Sequence, residues 1–310
     1  MHQQVLQWFR ESARDLPWRG GCSPWGILVS EIMLQQTPVV RVRPVWEEWM
    51  ARWPDPAAFA AAPQAEVLRA WGRLGYPRRA LRLHAAAGVI VEKHDGAVPD
   101  TFEELLALPG IGTYTAAAVA AFAFGRRETV VDTNIRRVFA RLVIGQALPA
   151  PSLTAAEMAL AKELLPEDAA ESAEWNAGVM ELGALVCTAR SPQCGICPVR
   201  RECAWIAAGQ PEPNYVPKGQ PWAGTDRQVR GAVMAVLRAA ESPVHAELFW
   251  GPVPELAALK EHLSHPGEVA DALKSLHNLN VHAPQLQRSL ASLVADGLAQ
   301  LSDGGYHLPH

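Results

Sequence analysis

LPGIGTYTAAAVAAFAFG, residues 108–125, sets a proline and two glycines between helical segments predicted near 101–107 and 113–124. So tight a turn can expose successive backbone N–H groups beside the N-terminus of the second helix. Unpaired amides and the helix dipole would hold a phosphate there, with Gly110 and Gly112 at the contact. A plain helix–helix turn explains the same residues equally well, and GxG is a weak pattern. Its meaning rests on what surrounds it.

Outward from this turn, the chain before residue 224 shows helical periods and no alternating strands. Helices are predicted near 3–13, 25–36, 39–53, 64–73, 77–93, 133–144, 153–164, 171–185 and 198–206, besides the two at the turn. Pro24, Pro38, Pro63, Pro99 and Pro109–Gly110 fall between them, and connections this short predict a helical bundle. GQPEPNYVPKGQPWAG, residues 209–224, has no period and reads as an extended linker. Beyond it, RQVRGAVMAVLRAA and PQLQRSLASLVADGLAQLSDGGYHLPH predict helices and then a small hairpin turning at Asp303–Gly305, an ending similar to a winged helix. The predicted organisation is an all-α core over 1–208, a linker over 209–224 and a small α+β domain over 225–310.

With 310 residues, the chain can bury a sound core and divide into two or more domains. A 49% apolar content with 25 Pro and 23 Gly excludes fibrous and disordered classes. MHQQVLQWFRESARDLPW lacks the order of a secretion signal, and no apolar run has membrane-spanning length, so a soluble cytoplasmic protein is expected. The net charge of −4 argues mildly against nucleic acid, but distribution matters more than the sum. Arginines recur at 78, 79 and 82, at 126 and 127, at 136, 137 and 141, and at 190, 200 and 201. Solvated helix faces are the bland explanation of each cluster.

Cys187, Cys194, Cys197 and Cys203 lie in CTARSPQCGICPVRREC with gaps of six, two and five residues, while Cys22 stands apart as a small apolar residue. In a reducing compartment they read as metal ligands rather than disulfides. Four-cysteine zinc usually pairs CxxC units across a hairpin, and only Cys194–Cys197 has that spacing. Iron–sulfur sites use compact thiolate runs, though the ferredoxin spacing also differs. Spacing alone leaves the metal open.

Glu31, in SEIMLQQT (30–37), lies one helical turn beyond Ile27 and Leu28 on the apolar side of a segment bounded by Pro24 and Pro38. Burial would raise its pKa and let it hold a proton near neutrality; a solvated glutamate in a misjudged phase is the alternative. Asp132 precedes a helix whose buried stripe includes Ile135, Val138, Phe139 and Leu142. A helix cap alone explains it, yet the helix end favours its anion. The expected outcome is Glu31 protonated and Asp132 charged, a division of labour suited to cleaving a glycosidic bond.

Taken together, LPWR (16–19), SEIMLQQTPV (30–39), LGYPRRALRLH (74–84), LPGIGTYTAAAVAAFAFG (108–125), VVDTNIRRVFAR (130–141) and WNAGVMELGALVCTARSPQCGICPVRREC (175–203) resemble the helix–hairpin–helix DNA glycosylases of the endonuclease III superfamily, and within it the adenine DNA glycosylases of MutY type. The matches run in order over about two thirds of the chain. The resemblance implies a helix–hairpin–helix glycosylase core, a hairpin near 101–124, and one [4Fe–4S] cluster on Cys187, Cys194, Cys197 and Cys203. Tyr114 stands where bifunctional relatives carry a lysine nucleophile, which implies a monofunctional enzyme because tyrosine forms no Schiff base.

By the same resemblance, Glu31 is the general acid at N7 of adenine, Asp132 stabilises the sugar cation, and Tyr114 orients both. Arg14, Leu16, Trp18, Arg19, Leu34 and Glu181 form the adenine pocket, with Glu181 on the adenine edge and Asn176 nearby. Gln36 and Tyr76 enter the base stack near the lesion partner; Arg136, Gly110 and Gly112 join them on DNA. The cluster is structural and holds the loop of Arg190 and Arg200 against phosphates. Expected is a bacterial monomer acting on double-stranded DNA containing A:8-oxoguanine or A:G mispairs, without a membrane. Two departures stand out: Tyr76 is followed by Pro77 rather than a second tyrosine, and residues 225–310 are too short for the usual larger C-terminal domain. The alternatives are a thymine or uracil mismatch glycosylase on the same scaffold, or a non-catalytic DNA-damage binding protein.

Overall fold

The computed structural model describes residues 1–216, 219, 221–252, 265–302 and 305–310. Helices follow in the order α1 (His2–Ser12), α2 (Pro24–Leu34), α3 (Val39–Arg52), α4 (Pro56–Ala60), α5 (Gln64–Trp71) and α6 (Arg78–Lys93). Then come α7 (Phe102–Ala107), α8 (Thr113–Phe124), α9 (Thr133–Phe139), α10 (Ala155–Glu163), α11 (Ala169–Leu185) and α12 (Ala204–Ala207). The last region holds α13 (Asp226–Ala239), β1 (Val244–His245), α14 (Glu247–Trp250), α15 (Pro266–His277), α16 (Ala283–Ala295), β2 (Gln300–Ser302) and β3 (Gly305–His307). Packing divides the chain into two units that do not follow chain order: 1–35 with 92–218, and 36–91 with 219–310.

In the first unit, local chemistry sets the helix starts. Ser23 caps α2 through Gly26 N–H, and Pro24 occupies the first turn where no donor is lost. Thr101 caps α7, and Asp132 caps α9. Gly125 ends α8 at φ +64°, a left-handed conformation that favours glycine. One core gathers Val5 and Leu6 of α1, Ala117 and Ala121 of α8, Ile135 and Val138 of α9, and Trp175, Val179 and Leu182 of α11. Tyr114, Cys187, Cys197 and Cys203 pack on its margin. The turn and the cysteine loop therefore share one rigid support.

The second unit joins an aromatic cluster to the end of the chain. Trp49 packs against Trp53, Phe59 and Trp71, with centroids 5.1, 5.0 and 5.6 Å away. Leu68 of α5 is buried in the core of Val233, Leu237, Leu273 and Leu290. Arg69 donates to the Ala240 carbonyl at 3.0 Å, and Asp296 takes ion pairs from both Arg78 and Arg230. The strands form an antiparallel sheet in the order β1-β3-β2, with Leu301 opposite Tyr306. Asp303 and Gly304, where the hairpin turn is predicted, lie outside the described residues.

Three predicted spans change. Residues 198–206 are not one helix: 3₁₀ turns at Cys194–Ile196 and Arg200–Glu202 precede the short α12, and Cys203 takes extended backbone (φ −76°, ψ 112°) between the last turn and α12. The helix from 133 widens into a π turn at Ala140–Ile144. An unpredicted α4 starts at Pro56 under an Asp55 cap.

Candidate active site

Helix α2 is buried on every side, from Trp25 through Met33, so its one carboxylate is largely removed from bulk water. Glu31 is 7% exposed. Burial is the main cause that lifts its pKa to about 7; a hydrogen bond with Tyr114 opposes the rise, the Asp132 charge adds to it and Arg19 opposes it. Tyr114 sits in the first turn of α8, which packs along α2. Its own hydroxyl is raised well above the usual range by burial and by the charges of Glu31 and Asp132. Gln35 adds a bond to Thr115 at 3.3 Å. Glu31, Tyr114 and Asp132 thus form one coupled group.

Asp132 accepts from Ile135 N–H at 2.7 Å and from Asn134 Nδ2 at 2.8 Å. Burial is the main influence on Asp132 and raises its pKa, against the lowering from the Ile135 and Asn134 bonds and the Arg137 charge. All its hydrogen-bond partners are nonetheless donors, the pattern that an ionised carboxylate satisfies.

Glu181, 1% exposed, accepts Arg14 Nε at 2.7 Å, Arg14 Nη2 at 2.6 Å, Arg14 N–H at 3.0 Å and Arg19 Nη2 at 3.0 Å. Burial works against its charge, but the Arg14 and Arg19 bonds prevail and bring it down to about 2. Glu181 therefore fixes the chain over residues 14–19, where Leu16 and Trp18 are buried. Leu34 is half-buried, and Asn176 is occupied by the Glu128 carbonyl at 2.8 Å.

Behind Asp132 runs a set of contacts that sequence reading missed. Arg137 donates to Asn134 Oδ1 at 2.8 Å, to the Gly183 carbonyl at 2.7 Å and to the Cys187 carbonyl at 2.8 Å. Arg141 donates to the carbonyls of Ala147, Thr188 and Ala189, and lies 3.5 Å from Cys187 Sγ. A Cβ on Gly183 would stand 2.7 Å from Asn134 Cβ, so only glycine lets α11 approach the start of α9. The available signal was a glycine inside the helix predicted over 171–185 and two arginines among the apolar residues of the helix predicted over 133–144.

The four cysteines lie close enough to feel one another's charge, although among the described residues no group of three or more His, Cys, Asp or Glu is arranged to hold a metal ion. Burial, joined by the charges of Cys187, Cys203 and Cys194 and opposed by a backbone bond at Val199, pushes Cys197 up to about 11. Cys194 is raised by burial and then by Cys187 and Cys203, while Arg141 and Arg200 oppose the rise. Four sulfurs that repel one another's charge become thiolates together when bound metal supplies the positive charge. Arg190 and Arg200 are exposed on this loop.

Arg136 reaches the carbonyls of Ala150 and Ser152 and pairs with Glu157 at 2.8 Å, so its charge is met by a carboxylate of the same unit. Gly110 takes φ +75°, which the turn requires, and Gly112 caps α8 beside its unpaired first-turn amides. In the second unit, Gln36 at φ +56° and Tyr76 at φ +47° occupy the left-handed region without being glycine. Arg79, buried, spans both loops by donating to Thr37 Oγ1 at 3.1 Å and to the Gly75 carbonyl at 2.9 Å.

Residues 29–163 match the model of the HhH-GPD superfamily base excision DNA repair proteins, and residues 187–203 match the iron–sulfur binding domain of endonuclease III. The chain is 49% identical to the adenine DNA glycosylase of Mycobacterium tuberculosis, covering 98% of this chain and 92% of that one. With the adenine DNA glycosylase of Mycolicibacterium smegmatis it shares 47% identity, covering 98% and 94%. Among solved structures, it is similar to a thermostable thymine-DNA glycosylase at TM-score 0.60 and 29% identity, over 67% of this chain and 95% of that chain.

Proposed function

The chain belongs to the adenine DNA glycosylases of the HhH-GPD superfamily, and from that premise we propose that it hydrolyses the N-glycosidic bond of adenine mispaired with 8-oxoguanine or guanine in duplex DNA. It is a monofunctional DNA glycosylase with an iron–sulfur binding domain. The observation that carries the assignment is the coupled trio: a buried carboxyl titrating at about 7, a tyrosine bonded to it, and a second carboxylate held by N–H donors.

Adenine is inaccessible within a duplex, so the nucleotide must leave the stack, at a cost of a few kcal/mol that a mispair lowers. As an anion, adenine leaves poorly. Glu31, in its protonated form, gives its proton to the ring as the bond to C1′ lengthens. Asp132 meets the positive charge growing on the sugar, and Tyr114 sets the distance between the two carboxyls. Glu31, left as a carboxylate, then takes a proton from the attacking water. Leu16, Trp18 and Leu34 would wall the adenine, with Arg14 and Arg19 fixed by Glu181 at its edge.

Cys187, Cys194, Cys197 and Cys203 would hold one [4Fe–4S] cluster, which cross-links its loop and supplies no step of hydrolysis. Arg190, Arg200 and the amides at Gly110 and Gly112 would bind phosphates, which position the duplex without reading its sequence. Gln36 and Tyr76 would enter the opened stack. By chain, the proposed domains are 1–208, a linker over 209–224 and a winged-helix-like 225–310. We assign the activity to a cytoplasmic monomer.

Excision measured under single turnover on A:8-oxoguanine, A:G, T:G and U:G duplexes tests the function. Adenine release without strand cleavage is expected; activity confined to T:G or U:G would replace it with the mismatch thymine reading. The likeness to a thymine-DNA glycosylase covers only 67% of the chain, against 98% for the adenine enzymes.

Gly183→Ala is expected to force the start of α9 away, lowering stability by about 1–3 kcal/mol and excision by about tenfold or more. Thermal unfolding and single-turnover rates check this. Wild-type values for both would show that the close approach is dispensable.

A further inference from the structure

Residues 219–310 pack in one unit with residues 36–91, the segment that carries Gln36 and Tyr76. The terminal region is poorly suited to hold DNA by charge: residues 225–310 contain six Lys and Arg against nine Asp and Glu. On α16, the helix that a winged fold would place in a groove, the one arginine is Arg288. It is already paired with Asp226, through Nε at 3.0 Å and Nη2 at 3.0 Å. The terminal region also makes contacts with residues 36–91, through Leu68, through Arg69 on the Ala240 carbonyl and through Arg78 on Asp296.

Those same pairs fix the beginning of α13. Thr225 caps it, Arg288 and Gln285 hold Asp226, and Gln285 also binds the Gly224 carbonyl. From this fixed start the next residue, Arg227, lays its guanidinium over the Tyr76 ring, 5.2 Å from the centroid. Arg79 lies 5.8 Å from the same centroid. Tyr76 is 43% exposed and held at a positive φ, a backbone state that persists only when its surroundings enforce it.

We propose that Arg227 is a positioning residue through which the small terminal domain holds Tyr76 ready to enter the base stack, so that the domain acts on mispair recognition through the wedge and not as an independent DNA reader. This rests on the wedge role given above to Tyr76. A guanidinium on an aromatic face is attracted by the ring and restricts where it can swing. A ring already oriented loses less freedom on entering the duplex, which raises affinity for DNA that opens easily.

The test uses the full chain loaded with its cluster. Binding is measured on a duplex with a non-cleavable adenosine analogue opposite 8-oxoguanine and on a fully paired duplex, across a salt series. The proteins are wild type, R227A, R227K, Y76A and R227A/Y76A. R227A should lower the preference for the mispaired duplex about threefold, R227K should restore part of it, and Y76A should lower it further. The double variant should match Y76A, because residues acting as a unit are not additive. The salt slope should stay unchanged in R227A. Equal weakening on both duplexes with a slope smaller by about one would make Arg227 a phosphate contact and overturn the proposal. Additive effects of the two substitutions, or an unchanged preference in R227A beside a changed one in Y76A, would overturn it while leaving the wedge intact. An unchanged preference in Y76A would remove the wedge reading, and the proposal with it.

Discussion

Glu31→Gln is expected to lower single-turnover excision of adenine by about a thousandfold while leaving affinity for mispaired DNA near wild type. Glutamine fills the same volume on α2 and keeps a polar contact for Tyr114, but it has no proton to give. The wild-type rate should fall as pH rises through about 7, because only the protonated carboxyl is competent. On the acid side the rate should fall above the ordinary aspartate range, since Asp132 is raised and must be ionised. A wild-type rate for E31Q would remove Glu31 from the chemistry. The same substitution should stabilise the protein. A carboxyl raised in the fold contributes its full stability below the unfolded pKa and has lost it once pH exceeds the folded one. Between 4.5 and about 7 that loss amounts to on the order of 3 kcal/mol. Above pH 7, glutamine escapes it, so a higher Tm for E31Q at pH 8 is the accompanying result; an unchanged Tm would mean that Glu31 is solvated.

Asp132→Asn is expected to cost about 100- to 1,000-fold in excision with the fold retained. Asparagine caps helices as well as aspartate does and still accepts the Ile135 N–H, so α9 keeps its start. What disappears is the negative charge beside the sugar. Asp132→Ala adds the loss of the cap, worth about 1 kcal/mol. If D132N unfolds, or if D132N and D132A lose stability equally and excision survives in both, capping is the whole role of the residue.

Sequence showed most of what was periodic or local. The helix–turn–helix of 101–124 was readable from its proline and glycines, and burial of Glu31 followed from the apolar run around it. The direction of the Asp132 shift was not readable. Its cap bonds are local and legible, whereas its burial comes from helices far away in the chain, and burial wins. The pairing of Arg136 was hidden for a related reason: an arginine in a cluster looks available until Glu157, on another helix, is seen to pair with it. The contacts of Arg137, Arg141 and Gly183 were not legible because their partners are carbonyls and an approaching backbone, which have no signature in residue type. The terminal strands were found, yet nothing in 225–310 announced that Leu68 lies in their core.

Discontinuous pairing of 36–91 with 219–310 has a consequence for synthesis on the ribosome. The early helices emerge with Leu68 and its neighbours facing water, and their partner surface is translated only after residues 92–218. Until then that apolar face is open to aggregation or to chaperones, and the late contact requires closure of a long loop. A stop codon anywhere in the final third therefore does more than delete a domain: it strands an earlier portion of the chain in an unfinished state.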